Sequence, residues 1–236
     1  MKNPTMFNVY YFKKLASTND KAKKLNENCV VIAEIQTKGR GRFNRRWSSS
    51  KGGLWMSIVL KLRIRNPKKI TFITSIIVHK VIETIFGLET KIKWPNDIVF
   101  NGKKLCGILT ETIFKGKHIA KMIIGIGLNV NNELPAELRK KAISLKEIIN
   151  KKININQIAN EILKEFPVQY KKYENNNERL LTDWKKLSDT IGKDVKVKTI
   201  GKTYCGKAED IDEDCSLIIR LSNNKTKKIV EGDVFY

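Results

Sequence analysis

Asn101-Gly102, set between the apolar runs Ile98-Val99-Phe100 and Leu105-Cys106-Gly107-Ile108-Leu109, constrains this chain more than any other two residues. A two-residue hairpin turn of this kind needs positive φ, which asparagine tolerates and glycine adopts freely. The two flanks are therefore read as an antiparallel pair. Pro95, just ahead of the first flank, has no N–H for a ladder, so the run 92–100 must be irregular or at a sheet edge there.

Around this hairpin, residues 7–12, 30–35, 54–60 and 122–130 read as further strands. One long helix interrupts them. Asn66-Pro67 makes a cap and first turn, Gly87 a stop, and Ile70, Ile73, Ile76, Ile77, Val81 and Ile85 recur between them at helical spacing. The spacing predicts an amphipathic helix packed on the sheet, with His79 an ordinary helix residue. More helices are expected at 144–149 and at 156–173, after which a polar run at 174–179 leads through 180–187 to the expected domain boundary. From Asp194 the pattern changes to short alternating strands separated by turns at Gly201, Asp212-Glu213-Asp214 and Asn223-Asn224, which reads as a small β-barrel. Roughly 45 residues is short for an independent fold, so this module is expected to lean on the main domain.

The chain carries 46 Lys+Arg against 24 Asp+Glu, a formal net charge of +22, which favours acidic partners or nucleic acid. The excess is lysine scattered along the whole length, so a generally basic surface accounts for it as well as a dedicated face does. With 41% hydrophobic and 30% charged residues the chain is too apolar for disorder and too interrupted for a membrane span. Its first residues hold no apolar run of signal-peptide length, and a cytoplasmic protein is expected. Cys29, Cys106, Cys205 and Cys215 show no C-x-x-C pairing and are expected as free thiols. With His79 and His118 as the histidines, a zinc site is not expected.

Chemistry-bearing residues gather at strand ends and loops. Gln36-Thr37-Lys38-Gly39-Arg40-Gly41-Arg42 runs on to Trp47: glycines that let backbone approach a ligand, guanidinium forks suited to carboxylate or phosphate, and a flat ring. A solvated basic loop has the same composition. Ser17-Thr18-Asn19-Asp20 opens a short helix, and its hydroxyls serve either as caps or as ligands for polar atoms. Pro95-Asn96-Asp97 is a tight turn, or it places a carboxylate to hold a metal ion or a lysine. Of Lys103 and Lys104, one points inward to an anion, or both are solvated. Gly125-Ile126-Gly127 lacks the third glycine and following helix of a dinucleotide fingerprint, and there is no P-loop motif. Two glycines within one strand instead mark a close approach. No nucleophile stands beside a base, and this set of donors, cations and one carboxylate suits phosphoryl or nucleotidyl transfer by positioning and charge stabilisation.

Taken in order, Ser17-Thr18-Asn19, Gln36, Gly39-Arg40-Gly41-Arg42 with Trp47, Lys93-Trp94-Pro95-Asn96-Asp97, Lys104-Leu105-Cys106-Gly107-Ile108-Leu109 and Gly125-Ile126-Gly127-Leu128-Asn129-Val130 resemble the motifs of biotin protein ligases. The resemblance implies an α+β fold: a mixed, mainly antiparallel sheet packed with helices in a catalytic domain, 1–188, and an SH3-like β-barrel, 189–236. It implies biotin activation by ATP to biotinyl-AMP with release of pyrophosphate, then transfer to the ε-amine of a lysine on a biotin carboxyl carrier protein. Arg42, Lys104 and Asp97 are then the catalytic residues. Ser17, Thr18, Asn19, Gln36, Gly39, Arg40, Gly107, Gly125 and Gly127 join Arg42 and Lys104 around biotin. Arg40, Arg42, Trp47, Asn96, Lys104 and Asn129 hold the ATP or adenylate, with Asp97 a contact for Mg²⁺ or for the incoming lysine. The same resemblance implies a homodimer, with no membrane association. Too few residues precede Ser17 for the N-terminal helix-turn-helix of some members, so operator binding is not expected. Two rivals are a lipoate or octanoate ligase, which would lack the Gly-Arg-Gly-Arg and Lys-Trp-Pro-Asn-Asp blocks, and a nucleic-acid-binding module, which needs more aromatic residues than the 8% present.

Overall fold

The computed structural model describes residues 7–61, 66–116 and 118–236. Seven strands build the main sheet: β1 (Asn8–Leu15), β2 (Cys29–Gln36), β3 (Leu54–Leu60), β4 (Lys91–Lys93), β5 (Asp97–Phe100), β6 (Lys103–Lys115) and β7 (His118–Leu128). Their order is β1-β2-β3-β7-β6-β5-β4, with β1 and β2 parallel and the other neighbours antiparallel. Asn101 and Gly102 close the β5–β6 hairpin at φ 48° and 74°, the positive values that the pair is suited to. The irregular run around Pro95 resolves into two short strands, β4 and β5, with Pro95 in the turn between them.

The helices are α1 (Thr18–Ala22), α2 (Lys68–Phe86), α3 (Leu145–Ile149), α4 (Ile155–Tyr173) and α5 (Asn177–Lys186). Strand side chains alternate between two faces. Val30, Ile32, Met56, Ile58, Ile124 and Ile126 belong to the core that includes α2, whereas Cys29, Val31, Val59 and Ile123 form a smaller cluster with Ala22 of α1. α2 is buried over far more than one stripe, because α4 and α5 pack on it as well as the sheet. That is why the amphipathic pattern expected of it is weak. Phe72 of α2 stacks on Trp184 of α5 at 4.3 Å between ring centroids, and Trp184 Nε1 donates to Ser75 Oγ at 3.2 Å. The opposite face is covered by five-residue α1 and so stays open farther along β3, β7 and β6.

The last strands, β8 (Asp194–Lys198), β9 (Thr203–Ile211), β10 (Leu217–Arg220), β11 (Thr226–Ile229) and β12 (Asp233–Phe235), form a second antiparallel sheet in the order β11-β10-β9-β8-β12. The small barrel read from the sequence is this SH3-like sheet, and it does lean on the rest. Trp94, fully enclosed after β4, donates from Nε1 to Cys215 O at 3.0 Å and from its backbone N–H to Thr190 Oγ1 at 3.0 Å. The connecting segment runs along β4, with Ile92 N to Leu187 O at 2.7 Å and Asp189 N to Ile92 O at 2.8 Å. All four cysteines are free. Among the described residues no helix is long and apolar enough to cross a membrane.

His79 is a buried helix residue, its Nδ1 2.9 Å from Thr90 Oγ1. Burial lowers its pKa, because the charged ring is poorly solvated there. An unfolded histidine, titrating near ~6.5, then binds a proton that the folded one refuses. The stability that neutral His79 contributes is full above that value and is lost as pH falls from it through the depressed folded value. Urea unfolding of the native chain is expected to show this loss, and His79→Gln should flatten the curve in that window; an unchanged slope would reject it.

Candidate active site

The Gly-Arg loop is a small folded unit. Arg40 and Arg46 form an isolated antiparallel bridge, Gly41 N donates to Arg45 O at 2.7 Å and Trp47 N to Gly39 O at 2.9 Å. At its tip Phe43 and Asn44 both have φ near 55°, and the guanidinium carbons of Arg42 and Arg45 lie 4.9 and 5.4 Å from the Phe43 ring centroid. Gly39 is a packing glycine: a Cβ there would come within 2.6 Å of Ser49 Oγ and 2.7 Å of Trp47 O.

Beneath this loop the register of the central strands sets Gly125 and Gly127 of β7 between β3 and β6. Ser57 on β3 faces Gly125 on β7, which faces Leu109 on β6; two residues along, Trp55 faces Gly127, which faces Gly107. The missing side chains let two elements descend onto the sheet. A Cβ at Gly125 would stand 2.4 Å from Asn19 Oδ1, and one at Gly127 2.6 Å from Trp47 Nε1. Trp47 also meets Trp55 edge to face, at 6.5 Å. Its own Nε1 is buried without a hydrogen-bond partner, a donor still to be used.

The result is a cavity of about 380 Å³, within the ordinary range for small-molecule sites. One side is cationic. Lys104 Nζ sits 2.7 Å from Asp97 Oδ1 and 4.9 Å from the Trp47 ring centroid. Asp97 Oδ1 nevertheless has no directed hydrogen bond, so this contact is one of charge, held off the hydrogen-bonding direction. Both readings of the Pro-Asn-Asp segment hold: it is a tight turn, and its carboxylate meets a lysine. Of the paired lysines, Lys104 lines the cavity and Lys103 is exposed. Arg42 Nη1 reaches Asn96 Oδ1 at 3.4 Å and Gly232 O at 3.1 Å, while Nη2 reaches Glu231 Oε1 at 3.2 Å; Arg45 pairs with Asp233 at 2.6 Å. The second sheet thus holds the loop by its arginines.

The other side is neutral and densely hydrogen-bonded. Gln36 Oε1 accepts from Thr18 N at 2.7 Å and from the Thr18 hydroxyl at 3.0 Å, and Gln36 Nε2 donates to Ser49 Oγ at 2.9 Å. Ser17 caps α1 by accepting from Asp20 N at 3.3 Å and also lines the cavity, so its two readings are compatible. Asn129 is buried in the wall, its Oδ1 accepting from Asn132 Nδ2 at 3.2 Å.

All the candidate residues read from the sequence line this cavity except Gly39. Two differ in detail from expectation. Arg40 faces the cavity, but its guanidinium is engaged by Asp20 in a bidentate pair at 2.6 and 2.7 Å, which holds the Asp20 carboxyl below its ordinary range. Asn19 has its amide consumed within the protein, by Ser57, Glu111 and Leu109 O. Sequence reasoning missed Leu134, Leu138, Lys141, Ala142 and Asp233, which complete the wall. The 134–142 segment has no periodicity to betray it and is placed by pairing with Lys104, whose N–H donates to Lys141 O at 2.8 Å. The signal for Asp233 was faint: an acidic Glu231-Gly232-Asp233 in an otherwise basic chain.

Gly127→Ala is expected to lift Trp47 off β7, lowering stability by roughly 1–3 kcal/mol as overpacking does. Urea unfolding and the indole emission measure this; no change in either would mean that Trp47 is not seated there.

The model of the biotin/lipoate A/B protein ligase family matches residues 10–129, and that of the biotin protein ligase C-terminal domain matches 190–236. A bifunctional ligase/repressor BirA of Bacillus subtilis is 36% identical, over 96% of this chain and 73% of its own. A biotin–[acetyl-CoA-carboxylase] ligase of Mycobacterium tuberculosis is 30% identical, over 89% and 79%. Among solved structures, the biotin protein ligase of Aquifex aeolicus in complex with biotin and ATP superposes with a TM-score of 0.87 at 28% identity, covering 98% of each chain. With matches over both its sheets, the chain belongs to the biotin/lipoate A/B protein ligase family and carries the biotin protein ligase C-terminal domain.

Proposed function

We infer that the cavity is the adenylation site of an ATP-dependent biotin protein ligase. The enzyme joins biotin to ATP as biotinyl-AMP with loss of pyrophosphate, and then passes biotin to a lysine ε-amine of a biotin carboxyl carrier protein. The observation that carries the assignment of residues is one cavity with a neutral hydrogen-bonding side at Thr18 and Gln36, a cationic side at Arg42 and Lys104, and glycines between. Biotin has the same polarity, a ring with N–H and C=O groups at one end and a carboxylate at the other.

On this reading Ser17, Thr18 and Gln36 hold the ring, and Asn19 supports them from behind. Arg42 and Lys104 hold the biotin carboxylate and the α-phosphate, and offset the negative charge that grows as the carboxylate oxygen attacks phosphorus. Trp47 and Asn129 take the adenine, with Trp47 Nε1 the free donor. Arg40, tied to Asp20, orders the loop, and reaches phosphate by exchanging that partner. Arg46 and Lys141, also in the wall, are placed to take the departing pyrophosphate. In the second step Asp97 orients the carrier lysine, whose amine must shed a proton against an ordinary pKa near ~10.4. Among the described residues no group of three His, Cys, Asp or Glu side chains can hold a metal ion. Asp97 and Asp233, the carboxylates in the wall, would hold a Mg²⁺ brought by ATP, which would offset the charge of the phosphates. The loop over the adenylate excludes water, which would hydrolyse the mixed anhydride. The reading further includes a catalytic domain to residue 188 with the small domain from 189, a homodimer and a cytoplasmic location.

Pyrophosphate release from MgATP should depend on biotin, and Arg42→Ala and Lys104→Ala should each lower it by about 10²–10³-fold. Release with lipoate in place of biotin would move the substrate to the rival acid, and none with either would overturn the reading.

The charge of +22 is proposed to draw in acidic carrier domains. Raising ionic strength from about 0.05 to 0.5 M should then lower kcat/KM for an acidic carrier several-fold while adenylation changes little, since screening acts on exposed charges at long range. An unchanged carrier kcat/KM would count against it.

A further inference from the structure

We propose that the outer face of β8 and β12, beside the opening of the cavity, is the seat of an acidic carrier domain. The inference rests on the reading of the cavity as the site of biotin transfer. Side chains alternate along a strand, and on β12 the buried Val234 separates Asp233 from Phe235, so these two share a face. Asp233 is in the cavity wall, and Phe235, the next residue on that face, is 47% exposed. The antiparallel register sets Lys198 opposite Asp233 and Lys196 opposite Phe235, both exposed, while Val197 between them is buried. Lys198 Nζ lies 5.4 Å from the Phe235 ring centroid. A basic strip with an aromatic centre thus leads from the wall of the cavity onto the surface.

The β8–β9 turn stands beside this strip. Thr199 N donates to Lys202 O at 2.8 Å and Gly201 has φ 82°, a two-residue turn that leaves position 200 little to pack on. Ile200 is 86% exposed there, the most of any large apolar side chain among the described residues. The turn adjoins the site: a Cβ at Gly232 would stand 2.9 Å from Lys198 O and 3.3 Å from Thr199 Cγ2, and Gly232 O accepts from Arg42 Nη1 at 3.1 Å.

The carboxylates nearby are spent. Asp233 pairs with Arg45, Glu231 with Arg42, Asp210 with Lys185 and Glu209 with Arg220, while Asp194 at the far end of β8 stands opposite Lys207. Lys196, Lys198 and Lys202 are left without a carboxylate partner among the described residues. Arg45, Arg46 and Lys141 are exposed members of the cavity wall, so the opening has the same sign of charge. An acyl adenylate in the cavity is reached only by a partner seated next to that opening. A basic face with an apolar centre there is complementary to an acidic surface. Single-stranded nucleic acid stacks its bases on several ring faces, whereas this face offers one phenyl ring with a lysine over it.

Lys196→Glu combined with Lys198→Glu tests this. Lys164→Glu combined with Lys171→Glu makes the same change of charge on α4, across the main sheet from the cavity. The probe is a recombinant acidic biotin carboxyl carrier domain, with biotin-dependent pyrophosphate release measured alongside. The β8 variant is expected to lower kcat/KM for the carrier about tenfold and to flatten its dependence on ionic strength. Its pyrophosphate release should stay within about twofold of native, and the α4 variant should keep carrier kcat/KM within about threefold. Ile200→Ser should lower carrier kcat/KM several-fold with its salt dependence unchanged, because only apolar contact is removed. A native carrier kcat/KM in the β8 variant or in Ile200→Ser overturns the proposal. So does an equal fall in the α4 variant, which makes the effect one of total charge, or an equal fall in pyrophosphate release, which marks the lysines as structural. Binding of a single-stranded oligonucleotide that the β8 variant loses, with carrier kcat/KM native, gives the face to nucleic acid and overturns it too. A native chain with no biotin-dependent release overturns the parent reading instead, so the two failures are told apart.

Discussion

The site depends on the absence of side chains at Gly125 and Gly127 in the middle of a sheet. A central strand ordinarily carries a side chain at every second position of each face, and these fill the space above it. Here two consecutive same-face positions of β7 are bare, so α1 comes down through Asn19 and the Gly-Arg loop through Trp47. The cavity is the room left between them, floored by the sheet and Gly107. Binding groups from distant parts of the chain meet there because backbone, not side chain, is the surface they share.

What holds the loop over that floor is charge, and it is divided between two bodies. Arg40 is anchored to α1 by Asp20, while Arg42 and Arg45 are anchored to the second sheet by Glu231, Gly232 O and Asp233. These pairs are partly exposed, and each is worth little alone in water. Their weakness is compatible with the proposed exchange of a protein carboxylate for a ligand oxygen at these arginines. The second sheet is thus part of the site although it adds only Asp233 to the wall, and its fixed position follows from Trp94, locked beneath it by Thr190 and Cys215.

Much of the fold was legible because it rests on local rules. Asn101-Gly102 is a turn whose demand on φ is met by those two residues and few others, and the β5–β6 hairpin follows from them. The helix read at 66–87 was delimited by a cap and a glycine stop and stands as α2. Its nearly complete burial was not legible, because a periodic pattern shows which face is apolar and cannot show that α4 and α5 will cover the remainder. Among candidate site residues, those in compact motifs such as Gly39 to Arg42 or Lys93 to Asp97 were found. Leu138, Lys141 and Asp233 were not, since each is brought in by pairing between segments far apart in the chain.

The sequence by itself determined the strands, the hairpins, the basic loop and the family, because turn chemistry, periodicity and motif spacing are properties of neighbouring residues. Only the tertiary structure decided what each polar group is free to do. Arg40 is tied to Asp20, the Asn19 amide is spent on Ser57 and Glu111, and Trp47 Nε1 is left unpaired. A hydrogen bond consumes a donor and an acceptor wherever they stand in the chain, 92 residues apart for Asn19 and Glu111, and the register of β3, β7 and β6 settles which ones meet.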